Sequence, residues 1–335
     1  MQTHDSPGMR LWSECVKGYQ WPEEVRNALT AVTDLSFDRS HMLKLANENP
    51  GNGPFVLTFL TREYFPLGLL WAEFALRSGN NHFAIAAMDA ETVDGLRLRG
   101  IPAVEVTLPL HWAPMARHEI HNGFDSKALA LLFCRTYLIK FLLDNDFDVV
   151  SCDIDALLAK RLDARLTTDQ KIAFQRVAYF PKPLARVWGF TACAGFVAYR
   201  ACSDVLSLLA RVLALQQELY DDQLALNLAL LEKSVCWDTD RLGSGNKEDV
   251  IHTFSDQAAQ SIRGYLPGTQ ISLTALPATN FWRHDFVPLD RSTCVLLHPN
   301  SPKSLEGKLE MFGRILPSAE LDLLQVKSDG SAGWL

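Results

Sequence analysis

The chain has 335 residues, of which 48% are apolar and 21% charged, and a formal net charge of -7. This balance is typical of a globular protein with a large core, and the acidic charge argues against a general nucleic-acid-binding surface. Seven scattered cysteines without a C-x-x-C pair favour reduced thiols over a disulfide framework or a zinc site. The first residues show no secretory signal pattern, and no apolar run approaches the roughly 18 residues of a transmembrane helix, so we expect a cytoplasmic protein.

Short apolar runs alternate with helical spacing in the first half of the chain. This alternation predicts βαβ units, a parallel α/β sheet and helices on both of its faces. We predict an N-terminal extension over 1–50, one α/β domain over 51–320 and a C-terminal tail over 321–335. The predicted elements are a helix over 22–33, a strand over 54–61, a helix over 66–77, a strand over 82–88, a helix over 91–99, a strand over 101–106 and a helix over 125–143.

The second half of the chain is less regular. We predict a strand or helix over 170–177, a strand interrupted by glycine over 187–199, helices over 204–219 and 222–231, a loop over 241–270, and strands over 271–276 and 293–297.

Two carboxylates follow the valine-rich run 147–152. Asp153 and Asp155 are two positions apart, so in a strand their side chains lie on one face. At the carboxyl end of a strand in an open α/β sheet, that face borders the crevice where ligands bind. Because adjacent carboxylates repel each other, we expect a cation between them, and a hard divalent metal that carries a diphosphate fits this pattern.

Polar residues also end the first two strands of the predicted domain. Thr58 and Thr61 belong to the first strand and its end, and Asp89 follows the second. These positions suit contacts with a nucleotide base and ribose. Ordinary turn or helix capping is the alternative.

His298 ends a later apolar run and is followed by two cations. A metal that bridges a diphosphate needs further protein ligands, and a nitrogen ligand beside two carboxylates favours Mn²⁺ over Mg²⁺. Lys303 and Lys308 would neutralise phosphate charge, although Lys308 also suits an ordinary helix face.

The order of these motifs resembles the nucleotide-diphospho-sugar transferase family with a GT-A fold. This group contains the plant cell-wall α-xylosyltransferases and related retaining enzymes. The resemblance covers roughly 54–315 and implies a Rossmann-like, mostly parallel sheet in a single catalytic domain. It is carried by Thr58, Thr61, Asp89, Arg135, Asp153-Ile-Asp155, Cys193-Ala-Gly195, Asp222-Gln223, His298, Lys303 and Lys308.

The resemblance also implies individual roles. Asp155 would bind the metal directly, Asp153 would reach the metal or the ribose, and His298 would be a further ligand. Arg135 stands where many relatives have lysine, and burial beside Asp153 would offset carboxylate repulsion. Gly195 would let the sugar or the acceptor approach the backbone closely, with a strand bulge as the alternative.

Asp222 and Gln223 are the predicted catalytic pair. By resemblance they would lie beneath the anomeric carbon, where an oxygen stabilises developing positive charge. Asp222 also suits the N-cap of the following helix, and Asp221 is an alternative for either role.

These observations predict a metal-dependent glycosyltransferase that moves a sugar from a UDP-sugar to an acceptor hydroxyl, with retention of configuration implied by the resemblance. A non-catalytic nucleotide-sugar-binding protein is one alternative. A haloacid-dehalogenase-type phosphatase is a weaker one, because its Asp-x-Asp motif normally ends the first strand of the sheet and three predicted strands precede Asp153 here.

Overall fold

The computed structural model describes residues 7–19, 23, 35–48, 53–107, 126–162, 166, 169–239, 246–300, 302 and 304–317. The described strands are β1 (Ser36–Phe37), β2 (Phe55–Leu60), β3 (Phe83–Ala87), β4 (Ala103–Thr107), β5 (Val149–Cys152), β6 (Leu157–Leu158), β7 (Ile172–Val177), β8 (Thr191–Tyr199), β9 (Cys236–Trp237), β10 (Ile262–Tyr265), β11 (Ser272–Ala275), β12 (Phe281–Trp282) and β13 (Leu296–Leu297). The described α-helices are α1 (Pro7–Val16), α2 (Arg39–Asn47), α3 (Phe65–Arg77), α4 (Ala90–Arg97), α5 (Ser126–Asp144), α6 (Lys182–Trp188), α7 (Ser203–Glu218), α8 (Asp222–Glu232), α9 (Lys247–Asp256) and α10 (Leu305–Ile315).

The main sheet has ten described strands in the order β1-β4-β3-β2-β5-β8-β7-β11-β10-β9. Its first half is a parallel block, because β2 pairs in parallel with β3 and β5, and β3 with β4. Strands β1, β8 and β10 run against the other seven. The predicted α/β fold with a mostly parallel sheet is therefore confirmed.

Apolar runs explain why the central strands form the core. Every residue of β2, β3, β5, β7 and β8 is buried. Parallel strands need long crossover connections, and the helices in these connections cover the faces of the sheet. The carboxyl ends of β2, β3 and β5 consequently meet at one edge of the sheet.

A smaller sheet ties the end of β5 to a distant part of the chain. Its strand order is β12-β13-β6. Strand β6 begins two residues after Asp155, and it pairs antiparallel with β13, with Leu157 opposite Leu297. This register brings the residue after β13, His298, to the Asp-x-Asp turn.

Two predictions for the second half of the chain are wrong. The strand predicted over 187–199 begins only at Thr191, because Val187 and Trp188 end helix α6 and Gly189 follows in a left-handed conformation with φ 78°. The loop predicted over 241–270 contains α9 and β10. The segment over 170–177 is a strand, and the strand predicted over 293–297 is confined to β13.

The described part of the N-terminal segment is attached to the domain. Helix α1 packs against α6 and α8, and β1 pairs with β4. Apart from residue 23, the helix predicted over 22–33 lies outside the described residues, as does the tail over 321–335. The division at residue 50 stays a prediction. None of the helices in the described part of the chain has the length and apolar character needed to cross a bilayer.

Candidate active site

Asp153, Asp155 and His298 converge at the carboxyl edge of the parallel block. One possible ligand atom from each residue lies within 4.8 Å of the others. His298 Nε2 is 3.6 Å from Asp153 Oδ2 and 3.6 Å from Asp155 Oδ1. A turn holds the two carboxylates in place, since the Asp153 amide donates to the Gly195 carbonyl at 2.7 Å and the Ala156 amide donates to the Asp153 carbonyl at 3.0 Å. The predicted ligand set is therefore brought together in space.

Gln175, a buried residue of β7, orients the His298 ring. Its amide nitrogen donates to the carbonyls of Phe281 and Trp282 at 3.2 Å each, which leaves Oε1 for His298. His298 Nδ1 donates to that oxygen over 2.6 Å. Because Nδ1 carries the hydrogen, the Nε2 lone pair is directed at the two carboxylates, which is the arrangement that an outer partner imposes on a metal-binding histidine.

Arg283 is a second partner of this histidine. Its Nη1 lies 2.6 Å from His298 Nε2. The same nitrogen lies 2.8 Å from His298 Nδ1, so it is nearly equidistant from both ring nitrogens and lies over the face of the ring. Arg283 therefore places a positive charge beside the proposed metal ligand His298.

Arg135 joins the metal-ligand cluster to the predicted catalytic pair. Its guanidinium is buried and contacts the carboxylates of Asp153 and Asp222 through different nitrogens. Burial disfavours the charged guanidinium, but these two carboxylates outweigh burial and raise the pKa of Arg135. Burial also raises the pKa of Asp153, but Arg135 and His298 reverse the effect and lower it overall. The predicted burial of Arg135 beside Asp153 is found.

Lys308 pairs with the other carboxylate. Its ammonium group contacts Asp155 Oδ2 from helix α10. Burial works against ionisation of Asp155, but Lys308 and His298 outweigh it and hold the pKa of this carboxyl well below its usual range. Both carboxylates are therefore ionised at neutral pH, as metal ligands must be. Lys303 lies outside the described residues.

Gly195 provides the space for the cluster. A Cβ atom built on it would lie 2.5 Å from His298 Cε1 and 2.8 Å from Asp153 Cγ. Gly195 also lines the cleft, and the predicted approach of a sugar or an acceptor to its backbone stays a prediction. A glycine is required here because any side chain would displace the proposed ligands.

Gly195→Ala should therefore weaken divalent-metal binding by about a hundredfold, the upper range for perturbed ligand geometry. Calorimetric titration with Mn²⁺ measures this effect. Gly313→Ala is the matched control, because a Cβ there meets nothing within 4 Å and alanine favours the helix. Equal Mn²⁺ affinity in both variants would contradict the role of Gly195.

The two neighbouring aspartates before α8 have different roles. Asp221 is the N-cap, and its Oδ1 accepts from the Leu224 amide at 2.7 Å. Asp222 therefore does not cap the helix; it lies in the first turn and pairs with Arg135. Burial raises the pKa of Asp222, and the charge of Asp153 adds to the rise, while Arg135 opposes it. Gln223 donates from Nε2 to the Phe180 carbonyl at 2.7 Å.

These groups line one cleft of about 340 Å³. Its walls carry both charged and aromatic side chains. They come from Tyr19, Leu132, Arg135, Asp153, Phe180, Cys193, Ala194, Gly195, Tyr220, Asp221, Asp222, Gln223, Arg283 and Asn300. The predicted metal ligand Asp153 and the predicted catalytic pair thus share a cleft large enough for a sugar ring.

The predicted nucleotide contacts are placed less favourably. Thr58 is fully buried within β2, and its Oγ1 has no hydrogen-bond partner in the described part of the chain, so its burial argues against direct contact with a nucleotide. Asp89 caps α4 by accepting from the Thr92 amide at 2.8 Å. Thr61 is half-buried and precedes a 3₁₀ turn. Contacts of Thr61 and Asp89 with a nucleotide stay predictions.

Several residues of the site were not predicted from the sequence. Gln175 and Arg283 act on His298, and Tyr19 and Phe180 line the cleft. A polar residue inside the apolar run of β7 was a detectable signal for Gln175. Arg283, Tyr19 and Phe180 carry no comparable signal, because only the tertiary fold brings them to the cleft.

Comparison with known proteins supports a family assignment. A model of the nucleotide-diphospho-sugar transferase family matches residues 78–312. No curated protein is similar enough in sequence to match.

Several solved structures show distant likeness. The galactosyltransferase LgtC in complex with donor and acceptor sugar analogs is 14% identical over 52% of this chain and 69% of its own, with a TM-score of 0.37. The bifunctional glycosyltransferase WbbM is 12% identical over 81% of this chain and 51% of its own, with a TM-score of 0.44. The glycosyltransferase GlyE of Streptococcus pneumoniae TIGR4 is 14% identical over 81% of this chain and 62% of its own, with a TM-score of 0.39. This chain thus spans about half of WbbM and less than two thirds of GlyE.

Proposed function

Because the chain belongs to the nucleotide-diphospho-sugar transferase family, we propose that it is a metal-dependent glycosyltransferase that moves a sugar from a UDP-sugar to an acceptor hydroxyl. One observation carries the proposal. Two carboxylates and an imidazole converge within 4.8 Å, beside a cleft that holds a further carboxylate. This arrangement suits a cation that neutralises a diphosphate next to a group that stabilises positive charge.

The residues present fit a divalent metal. Asp153, Asp155 and His298 would hold it, Gln175 fixes the ligating tautomer, and Gly195 leaves space for the cluster. Two oxygen donors and one nitrogen donor favour Mn²⁺, with Mg²⁺ as the alternative. When bound, such a metal acts as a Lewis acid that stabilises the diphosphate leaving group.

The cations near the cluster complete the diphosphate site. Lys308 already lies at Asp155, and its ammonium group would offset phosphate charge together with Lys303. Thr61 and Asp89, at the carboxyl ends of neighbouring parallel strands, are the proposed contacts for the base and ribose.

Asp222 and Gln223 are the proposed catalytic residues. As the bond between the sugar and the diphosphate loosens, positive charge develops at the anomeric carbon, and an oxygen of either side chain would stabilise it. Arg135 holds Asp222 in a fixed position, which limits reorganisation during the reaction. Retention of configuration is proposed on the resemblance alone. A cytoplasmic location is supported by the seven cysteines, all of which are free thiols.

A donor-hydrolysis screen tests the proposal. UDP- and GDP-sugars are incubated with the protein in Mn²⁺, in Mg²⁺ or in EDTA, and nucleotide release is measured. We expect metal-dependent release of UDP from one sugar, because water replaces the acceptor slowly in such sites. Thermal stabilisation by UDP without any release would favour the non-catalytic alternative, and hydrolysis of simple phosphate esters would favour the phosphatase.

A further inference from the structure

Three aromatic side chains form one wall of the cleft. The ring centre of Tyr19 is 5.3 Å from that of Phe180 and 5.4 Å from that of Tyr220. Tyr220 is buried, whereas Tyr19 and Phe180 are half-buried and keep part of their surface toward the cleft. We call these three residues the aromatic wall.

The aromatic wall is fixed to the proposed catalytic groups. Tyr220 lies two residues before Asp222, and the Phe180 carbonyl accepts the hydrogen bond from Gln223. Any ring that packs on the wall is therefore held beside the carboxylate and amide that act at the anomeric carbon.

Hydrogen bonds to the N-terminal segment hold Tyr220 of the aromatic wall in place. The Tyr220 hydroxyl donates to the Gly18 carbonyl at 3.1 Å, and the Tyr220 amide donates to the Tyr19 carbonyl at 3.3 Å. Burial raises the pKa of Tyr220 to about 12, so the hydroxyl remains a donor at neutral pH. Tyr19 lies before residue 78, where the match to the family model begins.

The chemistry of this wall suits a sugar ring. One face of a pyranose presents C–H groups, which pack on the electron-rich face of an aromatic ring, while its hydroxyls bond to polar groups around the edge. The cleft supplies such groups in Asp222, Gln223 and Asn300. Thr61 and Asp89, the proposed contacts for the base and ribose, are not among the residues that line this cleft. The aromatic wall is therefore available for a part of the substrates other than the nucleotide.

We infer that the aromatic wall binds a sugar ring of the acceptor, so that the acceptor is a glycan or glycoside and Tyr19 determines its recognition. This inference rests on the proposed function and specifies the acceptor class for the same site. It also gives the N-terminal segment, outside the family match, a part in substrate selection.

The test compares donor hydrolysis with transfer. UDP release from the best donor of the screen is measured alone and with a panel of methyl glycosides of common hexoses, for the native protein, Tyr19→Ala, Tyr19→Leu and Tyr19→Phe. Tyr265→Ala is the control, because Tyr265 is 57% exposed and absent from the cleft lining. Melting temperatures are measured for every variant, and Tyr19→Leu retains bulk if the alanine variant is unstable.

We expect at least one glycoside to accelerate UDP release. The acceptor kcat/KM should fall about tenfold more than the hydrolysis rate in the alanine and leucine variants and stay near native in Tyr19→Phe. Equal changes in both rates, a rise only in the KM for the donor, or no acceleration by any glycoside of the native protein would overturn the inference. Absence of donor hydrolysis and transfer in the native protein would instead overturn the proposed function.

Discussion

Asp155→Ala should lower donor turnover by about a thousandfold or more, because it removes a ligand from the proposed metal site and with it several kcal/mol of charge stabilisation. Mn²⁺ affinity should fall in parallel. Asp155 is buried and contacts Lys308, so the variant also leaves a partly buried ammonium group without its carboxylate. Turnover, Mn²⁺ titration and the melting temperature therefore need to be measured together.

Two variants separate loss of the metal from loss of the fold. Asp155→Asn keeps the shape of the side chain, and with its charge gone it should also lose Mn²⁺ binding. Asp144→Ala is the matched control, because Asp144 is an exposed carboxylate paired with Lys140 on α5. Turnover of Asp155→Ala within tenfold of the native protein, with Mn²⁺ binding intact, would refute the metal-dependent scheme.

The convergence of the metal ligands could be predicted because it follows from topology. Apolar runs located β2, β3 and β5, and the carboxyl ends of parallel strands meet at one edge of a sheet. The remaining step, from Asp155 to His298, depends on pairing between β6 and β13. Two-residue strands have almost no local signal, so only the resemblance indicated that step.

Roles that depend on tertiary contacts could not be predicted from the sequence. The closeness of Gly195 to Asp153 and His298, for example, has no counterpart in the local sequence. The glycine and polar content of 241–270 predicts a loop, but part of this segment is held in place by hydrogen bonds from another part of the chain. The buried Arg176 of β7 donates to the carbonyls of Gln257 and Gln260, which follow α9. Hydrogen bonds from a distant arginine leave no periodic apolar pattern in the segment that they hold in place.

The two aspartates before α8 show the same limit at the catalytic pair. In the sequence, either residue suits the N-cap, since Asp is favoured there. In the structure both residues are buried and line the cleft, but Asp221 caps the helix whereas Asp222 pairs with Arg135. We therefore expect substitution of Asp222 to affect catalysis and substitution of Asp221 to affect stability.

Asp222→Asn should lower kcat by about a hundredfold to a thousandfold, because it removes the negative charge proposed to stabilise the transition state. Asparagine keeps an oxygen that accepts from Arg135, so the fold and Mn²⁺ binding should change little. An interaction made only in the transition state lowers kcat and kcat/KM equally, so the KM for the donor should stay near native. Steady-state hydrolysis of the UDP-sugar measures both quantities.

Asp221→Ala provides the matched control, because it removes a carboxylate one position away. It should lower the free energy of unfolding by about 1 kcal/mol through loss of the cap and leave kcat within a few fold. Gln223→Ala decides between the two proposed catalytic residues. If kcat collapses in Gln223→Ala and stays near native in Asp222→Asn, the amide of Gln223 stabilises the charge, and Asp222 serves to hold Arg135. A collapse only in Asp221→Ala would contradict both assignments, since it would place catalysis on the residue that the structure uses as a cap.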